Sequence, residues 1–265
     1  MIIIKLQILM STMDKKSLEE LRLEDKKVKE NILIINQTNN NQKYEIDNIK
    51  MYNYKEKGLS KSRNRAIENS KKDICLIADD DVVYKPNTFD VVKKSFEDNP
   101  KADIITFQIE TPEGYLFKDY PKEKFWHNTK SILKVSSIEI AFKRKVILKN
   151  NIKYDESFGL GAKYKSGEEN IFLMDCLKKG LKIKYIPIPI VLHPFESSGK
   201  KIDDYVSVAS KGALFTRLFG WKFIIINFIF ALKKYNLYKD QLSFIKFVKY
   251  IYKGSLDYLK ERRRR

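Results

Sequence analysis

Cysteine and histidine are scarce in this sequence, with two residues of each type among 265. Cys75 and Cys176 both lie inside apolar runs, so we predict two buried thiols and neither a disulfide nor a thiolate metal site. Such cysteine usage is typical of proteins in a reducing compartment. We find no internal repeats either.

Long hydrophobic runs are scarce as well. The apolar run from Phe223 to Leu232 has ten residues and includes one Asn. A helix that spans a bilayer needs about 20 residues, so this run is predicted to be too short to cross a membrane. The N-terminal segment "MIIIKLQILM" is interrupted by Lys5, follows no basic segment and precedes no small-residue cleavage site. We expect a buried first strand there and no signal peptide.

Acidic residues are outnumbered: 34 Asp and Glu stand against 52 Lys and Arg, which gives a net charge of +18. Residues 201–265 contain 15 basic and 5 acidic residues and so carry +10 of that charge. From residue 244 onward, apolar and basic residues follow helical spacing on two faces, which predicts a basic amphipathic helix before the terminal "ERRRR". This charge balance indicates an anionic partner: nucleic acid, a phospholipid surface or a phosphorylated substrate.

Strand-like apolar runs alternate with helical patterns through about the first 110 residues. The apolar runs are "IIIKLQILM", "ILIIN", "IKMYNY", "ICLIA" and "ADIITFQI". Helical patterns cover residues 17–30, the region from about residue 60, and residues 87–97. This alternation predicts an α/β fold with a Rossmann-like, mostly parallel sheet flanked by helices, followed by a helical, basic C-terminal extension. In such sheets ligands bind at the carboxyl ends of the strands.

Three consecutive aspartates, Asp79, Asp80 and Asp81, follow the run "ICLIA" at the predicted end of a strand. Adjacent carboxylates repel one another, and either solvent or a bound cation relieves the repulsion. In an extended strand Asp79 and Asp81 would share one face, opposite Asp80. Oxygen ligands of this kind suit Mg²⁺ or Mn²⁺, which bridge to substrate phosphates. The alternative is a solvated turn in which an aspartate caps the next helix.

Two further segments carry charged residues at predicted helix N-termini. In "EKGLSKSRNRAIENS", Ser60 or Ser62 would cap a helix. The basic residues in the first turns of that helix either attract an anion or form an exposed basic helix end without a ligand. In "SGEENIFLMDCLKKG", Glu168 and Glu169 follow a glycine loop at the start of a predicted helix. The helix dipole favours carboxylates at this position without any further function. Alternatively, one of them acts as a general base. His193 is interpreted as a structural histidine or as a metal or phosphate ligand.

Taken together and in this order, two segments on a βα framework resemble glycosyltransferase family 2, the inverting type with a GT-A fold. They are "GLSKSRNRAIENSKKDICLIADDDVVY" and "FGLGAKYKSGEENIFLMDCLKKGLKIKYIP". The similarity is greatest to bacterial members that build surface polysaccharides, and it extends over roughly residues 2–220. It implies a catalytic domain at residues 1–200, with a donor-binding half to about residue 112 and an acceptor half from 113, and an extension at residues 201–265.

The resemblance implies a metal and donor site at the aspartates, which match the family's DXD-like segment. Asp79 and Asp80 would contact the donor diphosphate and ribose. Asp80 and Asp81 would hold Mn²⁺ or Mg²⁺, and His193 lies where related enzymes sometimes place a further metal or phosphate contact.

Other positions match the family's catalytic base and nucleotide site. Glu169 matches the base, which usually is an aspartate, and Glu168 beside it is an alternative. Asn36 and Gln37 replace the acidic pair that commonly follows the second strand. The positions around the donor nucleotide are Ser11, Thr12, Asn36, Gln37, Arg63 and Asn64.

The family's reaction implies a nucleotide-sugar donor, with a UDP-sugar as the first expectation, and a saccharide or lipid-linked acceptor. The acceptor hydroxyl, deprotonated by Glu169, would attack the anomeric carbon while the metal ion stabilises the departing nucleoside diphosphate. The basic extension predicts a cytoplasmic protein that lies peripherally on the anionic inner face of the plasma membrane. Alternatively, the apolar run is a buried helix that packs on the catalytic domain.

Two other classes of protein fit parts of the pattern. A sugar nucleotidyltransferase also combines an α/β sheet with metal-binding aspartates, but it would carry a glycine-rich basic loop after its first strand, and "STMDKKS" contains no glycine. A basic nucleic-acid-binding protein would explain the charge. The sequence contains no known nucleic-acid-binding motif, and the acidic triplet lies at the predicted ligand-binding end of a strand. We therefore expect no nucleic-acid partner.

Overall fold

The computed structural model describes residues 4–28, 30–195 and 204–264. These residues form ten strands in one sheet. The strands are β1 (Leu6–Met13), β2 (Asn31–Gln37), β3 (Lys43–Ile46), β4 (Ile49–Tyr54), β5 (Ile74–Asp79), β6 (Val83–Tyr84), β7 (Ile104–Glu110), β8 (Phe125–Trp126), β9 (Ile140–Lys143) and β10 (Ile183–Leu192).

The sheet is mainly parallel. Its strands lie in the order β3-β4-β2-β1-β5-β9-β7-β10-β6, and β8 pairs with β10. Strands β4, β2, β1 and β5 pair in parallel, as do β7 and β10, while β9 runs antiparallel between β5 and β7. The predicted α/β fold with a mostly parallel sheet is therefore confirmed, and the architecture agrees with a GT-A fold.

The central strands are buried along nearly their whole length: seven of eight residues in β1 and six of seven in β2. Strands that are apolar throughout form where both faces of a sheet are covered, which explains why these runs do not alternate with polar residues. Phe89, Val92 and Phe96 from one flanking helix pack in the same core as the strand residues. The carboxyl ends of the parallel strands are thus fixed by a well-packed interior.

Eight α-helices accompany the sheet in the described parts of the chain. They are α1 (Leu59–Asn69), α2 (Thr88–Asp98), α3 (Arg144–Lys149), α4 (Glu168–Lys178), α5 (Tyr205–Phe219), α6 (Phe223–Lys233), α7 (Tyr235–Tyr238) and α8 (Phe244–Arg264). The predicted amphipathic helix near the C-terminus is confirmed as α8.

The helix predicted over residues 17–30 is wrong. Within the described part of this segment, a three-residue 3-10 turn, Glu19–Leu21, forms in its place. Arg22 and Lys27 have positive φ angles of 49° and 58°, and a residue in the left-handed region ends a right-handed helix. The first strand also begins later than predicted, at Leu6.

The chain divides into two compact units. The first comprises Met1–Lys57, Lys61–Tyr154 and Phe172–Glu196, and it contains the whole sheet. The second comprises Gly58–Ser60, Asp155–Ile171 and Ser197–Arg265, and it contains α5 to α8. The functional boundaries predicted near residues 112 and 200 stay a prediction, because these units reflect packing and not function.

Both cysteines are buried and unbridged, as predicted. Burial raises the pKa of the Cys75 thiol to about 12, and it also raises the pKa of Cys176, because an apolar environment disfavours the thiolate. Since the thiolate is the reactive form, neither residue is suited to nucleophilic or redox chemistry.

In the second unit, α5 and α8 cross at two glycines. A Cβ atom at Gly212 would lie 1.8 Å from the carbonyl oxygen of Ile251, and one at Gly254 would lie 2.0 Å from that of Ala209. Contact this close between two backbones is possible only without a side chain. Ser255 Oγ, 2.9 Å from the Gly212 carbonyl oxygen, adds a buried hydrogen bond at the crossing.

The apolar run Phe223–Leu232 lies in α6 and continues a helical stretch that begins in α5. This stretch, Tyr205–Lys233, has 29 residues and includes an 18-residue window with a mean hydropathy of 1.5, so by length and composition it is able to cross a membrane. The prediction that the run is too short holds only for the ten residues by themselves, because the helical stretch also includes α5. A buried core helix meets the same criterion, and nine residues of α5 are buried.

We expect the variant Gly212→Ala to be less stable than the parent by roughly 1–3 kcal/mol, because the added methyl group overpacks the α5–α8 crossing. In an ordinary helix the same change stabilises by up to about 1 kcal/mol, so the sign of the effect identifies the close contact. Urea denaturation followed by circular dichroism measures it. Leu256→Ala, at an exposed position of α8, is the control with an expected change within about 0.5 kcal/mol. A Gly212→Ala variant as stable as the parent would contradict the crossing.

Candidate active site

Polar side chains gather at the carboxyl ends of four neighbouring parallel strands. The register pairs Thr12 of β1 with Asn36 of β2, and Asn36 with Asn53 of β4. Ser11 pairs with Asp79 of β5 on the other side. The structure therefore brings the predicted strand-end residues to one edge of the sheet, which is where α/β folds bind ligands.

Asp80 is held at this edge by two neighbours. Thr12 Oγ1 donates a hydrogen bond of 2.5 Å to Asp80 Oδ2, and Lys15 Nζ lies 3.9 Å from the same oxygen. The Asp80 side chain is 35% exposed. Its carboxylate is thus fixed by a charge-assisted hydrogen bond and is still accessible to a ligand.

Asp79 faces a buried cation. Arg63 Nη2 lies 3.0 Å from Asp79 Oδ1, and the arginine side chain is only 1% exposed. The guanidinium group also lies over the ring of Tyr154, 5.5 Å from its centroid, and Ser137 Oγ donates to Asp79 Oδ2 at 3.4 Å. Because a buried charge requires a partner, Asp79 is the counter-ion of Arg63. The alternative of an exposed basic helix end is wrong for Arg63.

Asp81 faces His193. Nε2 of the imidazole lies 3.4 Å from Asp81 Oδ2, and the ring packs edge-on against Phe117 with centroids 5.6 Å apart. Nδ1 lies 2.7 Å from the carbonyl oxygen of Pro194. A carbonyl oxygen only accepts, so Nδ1 donates, and Nε2 faces a carboxylate. Either a proton on Nε2 or a cation between the two groups satisfies this arrangement.

The expectation that Asp79 and Asp81 share one face is wrong, because β5 ends at Asp79 and a turn follows. Each of the three aspartates has a different partner. The alternative in which an aspartate caps α2 is also wrong, since the residue at that position is Asn87.

The donor set fits a divalent ion that takes part of its ligands from elsewhere. Among the described residues, no three His, Cys, Asp or Glu side chains are close enough to hold a metal ion by themselves. Mg²⁺ is commonly held by one or two carboxylates together with water and substrate phosphates. Asp80 and Asp81 could supply such carboxylates, which suit Mg²⁺ or Mn²⁺, and His193 beside Asp81 could supply a nitrogen ligand.

The second strand ends in a buried amide network. Asn36 is fully buried, and its Nδ2 donates to the Lys15 carbonyl oxygen at 2.8 Å and to Asn53 Oδ1 at 2.9 Å. Its Oδ1 accepts from the Lys15 backbone N–H at 3.1 Å. Asn36 thereby fixes the loop after β1, which carries Lys15 towards Asp80. Gln37 is likewise buried, and the contact of either residue with a nucleotide stays a prediction.

Helix α1 contributes polar groups from inside the helix. It begins at Leu59, so the prediction that Ser60 or Ser62 caps it is wrong. Ser62 Oγ donates to Ser11 Oγ at 2.9 Å. Asn64 binds the backbone of Tyr154 with both amide atoms, at 2.8 and 3.0 Å, which gives it a role in the fold beside the predicted contact with the donor.

The second unit holds Glu168 and Glu169 at the start of α4, as predicted. Gly167 precedes them with a φ of 98°, and a Cβ atom there would lie 2.6 Å from the side chain of Leu214, so only glycine fits this turn. Glu168 is buried and Glu169 is partly exposed. The pKa of Lys211 is lowered, chiefly because burial disfavours the charged amine. The negative charges of Glu169 and Glu168 raise this pKa and so offset part of the effect. The two carboxylates thus lie near a partly buried amine.

A sequence profile of the family described as "Glycosyl transferase family 2" matches residues 17–160, which is more than half of the chain. The chain belongs to glycosyltransferase family 2. It is therefore a transferase that uses a nucleotide-sugar donor. No curated protein matches the transferase in sequence at a significant level.

Solved structures of S. aureus TarS share the fold of the transferase. TarS 1–349 in complex with UDP-GlcNAc has a TM-score of 0.61 at 13% identity, over 89% of this chain and 74% of that one. The complex with UDP has a TM-score of 0.57 at 15% identity, over 88% and 72%. TarS 1–349 without a named ligand has a TM-score of 0.58 at 12% identity, over 97% and 92%. At these identities the likeness establishes the fold.

Four contacts of the transferase were not predicted from the sequence. Asn53 is the penultimate residue of the run "IKMYNY" and was detectable by the same strand-end rule that identified Asn36. Lys15 and Ser137 lie outside the strands, in segments with no periodic pattern. Lys211 lies in α5, about 40 residues after the carboxylates it faces, so no local signal connects them.

We expect Asp79→Ala to destabilise the transferase by about 1–3 kcal/mol, because it removes the carboxylate that faces the buried Arg63 guanidinium. The effect is smaller than for a fully buried pair, since Asp79 is 37% exposed. Asp81→Ala is the matched control: its side chain is 62% exposed, and we expect a change within about 0.5 kcal/mol. Urea denaturation distinguishes them, and equal effects would refute the counter-ion role of Asp79.

Proposed function

We propose that the protein is an inverting glycosyltransferase that moves a sugar from a UDP-sugar to a saccharide or lipid-linked acceptor in the synthesis of bacterial cell-surface polysaccharide. The observation that carries this proposal is the strand-end cluster, in which Thr12 and Lys15 fix Asp80 while its carboxylate stays accessible. A carboxylate in that position is suited to a cation and its bound diphosphate.

The choice of UDP rests on the fold neighbours. TarS crystals contain UDP-GlcNAc in one complex and UDP in another. The buried amides of Asn36 and Asn53 lie near the ends of adjacent strands, where they fix one another and the loop after β1. The ligands of the two TarS complexes favour a UDP-sugar over other donors.

Asp80, Asp81 and His193 would hold Mn²⁺ or Mg²⁺, and Asp79 with Asp80 would lie beside the donor. When bound, such an ion neutralises the negative charge that the nucleoside diphosphate acquires as it departs. Thr12 and Lys15 keep Asp80 in position, and Arg63 does the same for Asp79, so the carboxylates need little reorganisation when the donor arrives.

Glu169 is proposed as the general base, with Glu168 beside it as the alternative. The base takes the proton of the acceptor hydroxyl, the hydroxyl oxygen forms a bond to the anomeric carbon, and the bond from that carbon to the diphosphate breaks. One displacement of this kind inverts the configuration at the anomeric carbon. Glu169 is the more exposed of the two carboxylates, which favours it for contact with an acceptor.

We expect two variants to separate donor binding from turnover. Asp80→Ala should lose Mn²⁺-dependent binding of UDP, because it removes the carboxylate at the centre of the cluster. Glu169→Gln should bind UDP like the parent but release UDP from UDP-GlcNAc about 10²- to 10⁴-fold more slowly, which is the usual contribution of a general base. Titration calorimetry with Mn²⁺ or with EDTA measures the first effect, and a UDP-release assay measures the second.

Asp90→Ala is the control for the first variant, since Asp90 is 80% exposed on α2, and Glu168→Gln is the control for the second. GDP and CMP serve as comparison nucleotides. Binding of UDP that is unaffected by EDTA or by Asp80→Ala would overturn the metal site. Turnover that falls with Glu168→Gln and not with Glu169→Gln would reassign the base.

We further infer that α6 places the enzyme on the surface of an anionic membrane, at the cytoplasmic face. Three residues of α6 are buried: Phe223, Asn227 and Ala231. The remaining face exposes large apolar side chains: Ile224, Ile225, Phe228, Ile229 and Leu232, with Trp221 just before them. An apolar helix face flanked by lysines is typical of a helix that lies in the membrane interface.

We expect the full-length protein to bind vesicles containing phosphatidylglycerol and to bind pure phosphatidylcholine vesicles less, because basic residues near an anionic surface contribute about 1 kcal/mol each. Ile225→Gln and Phe228→Gln should each weaken vesicle binding about fivefold by removing apolar area from the interface. Leu256→Gln changes an exposed apolar residue of α8 and is the control. Co-sedimentation measures binding, and equal binding by all three variants would contradict this role of α6.

A further inference from the structure

A cavity of about 310 Å³ lies against β7, β8 and β10 in the first unit. None of the residues predicted for the donor site lines it. Its base includes Thr106, in the middle of β7, and Tyr185 of β10, so it opens on one face of the sheet and not at the strand ends. This volume is in the range of small-molecule sites.

Aromatic rings form the walls of the cavity. Tyr120 and Tyr185 are stacked with an interplanar angle of 8° and centroids 6.4 Å apart. Phe125 of β8 lies 4.9 Å from Tyr185 between ring centroids. The hydroxyl group of Tyr185 donates to the Pro121 carbonyl oxygen at 2.8 Å, which fixes the plane of the ring. The walls therefore present flat apolar surfaces in fixed orientations.

Polar groups that carry no net charge lie between the rings. His127 has one ring nitrogen 2.8 Å from Thr106 Oγ1 and the other 2.9 Å from Ser131 Oγ. Burial lowers the pKa of His127 to about 4, so the imidazole is neutral at physiological pH. Thr106 is 0% exposed, and both ring nitrogens of His127 have partners, so these groups fix the shape of the cavity wall.

An ion pair between the partly exposed Lys118 and the buried Glu139 forms part of the cavity lining. Lys118 Nζ lies 2.6 Å from Glu139 Oε1, and the Tyr120 hydroxyl donates to the same oxygen at 2.7 Å. Glu139 is 2% exposed, and burial raises its pKa. The two charges compensate each other, and three more charged side chains line the cavity: Asp119, Lys130 and Lys134. The lining therefore combines aromatic rings with side chains that can form hydrogen bonds to hydroxyl groups.

One 3-10 turn connects this cavity to the aspartates. The turn consists of Ser137–Glu139. Ser137 at its start donates to Asp79, and Glu139 at its end lines the cavity. The cavity is therefore adjacent to the strand-end cluster through a three-residue segment.

We propose that this cavity binds one pyranose ring of the acceptor saccharide, an inference that rests on the proposed transferase function. A pyranose presents apolar C–H faces, which suit the aromatic walls, and hydroxyl groups at its edge, which suit the exposed polar side chains of Asn128 and Lys134 that also line the cavity. A purely apolar ligand would make no hydrogen bond to these groups.

The exposed rim offers a position for blocking the cavity. Lys130 lines the cavity and is exposed, so Lys130→Trp places a bulky ring at the entrance without changing the buried network. Lys122 is also exposed but does not line the cavity, and Lys122→Trp is the matched control. Phe125→Leu keeps an apolar side chain and removes one aromatic wall.

The test is saturation-transfer NMR on the full-length protein with three probes: methyl β-D-glucopyranoside, methyl β-D-galactopyranoside and methyl N-acetyl-β-D-glucosaminide. We expect at least one probe to bind and to shift the ring signal of His127, one of only two histidines in the chain. Lys130→Trp should abolish both effects, and Lys122→Trp should leave them unchanged. Phe125→Leu should weaken the affinity about three- to tenfold, the usual contribution of an aromatic contact.

The proposal is overturned if no pyranoside binds or if binding survives Lys130→Trp. It is also overturned if indole, used as an apolar comparison ligand, binds in the cavity and none of the pyranosides does. None of these readouts involves UDP or turnover. Pyranoside binding without UDP binding would therefore count against the donor assignment and in favour of the cavity. UDP binding without pyranoside binding would count against the cavity alone.

Discussion

The buried guanidinium of Arg63 is the constraint on which the strand-end site depends. Its side chain is 1% exposed, and a charge in such a position must be compensated within the protein. Asp79 provides the compensating carboxylate at the last residue of β5. This pairing ties the end of β5 to α1, directly before the turn that carries Asp80 and Asp81.

Three adjacent carboxylates coexist here because each has its own partner. Asp79 faces Arg63, Asp80 accepts from Thr12 near Lys15, and Asp81 faces His193. Asp79 and Asp80 are about equally exposed, at 37% and 35%, and Asp81 is mostly in solvent at 62%. The same short segment thus compensates a buried charge at one end, and in the proposed function it offers oxygen ligands at the other, which would explain an acidic triplet in a strongly basic chain.

The second unit combines tight backbone packing with an exposed apolar face. Gly212 and Gly254 allow α5 and α8 to approach at backbone contact, and α6 joins this pair through Asn227, whose Nδ2 donates to Ser255 Oγ at 2.8 Å. Since these contacts use one side of α6, the other side presents large apolar residues outward. A basic sequence composition and this apolar face together fit a membrane surface better than either feature does by itself.

The sequence by itself determined the α/β fold, the strand ends that carry Asp79 to Asp81 and Asn36, the buried cysteines and the basic helix α8, because each depends on a local pattern of apolar and polar residues. It misjudged residues 17–30, where left-handed residues interrupt a helical pattern, and the serines of α1. Only the tertiary structure decided that Arg63 is buried, that Lys15 and Ser137 reach the aspartates, and that Tyr120, His127 and Glu139 surround one cavity. These contacts join residues far apart in the chain. Their strength depends on burial in the folded structure, which a local sequence pattern does not predict.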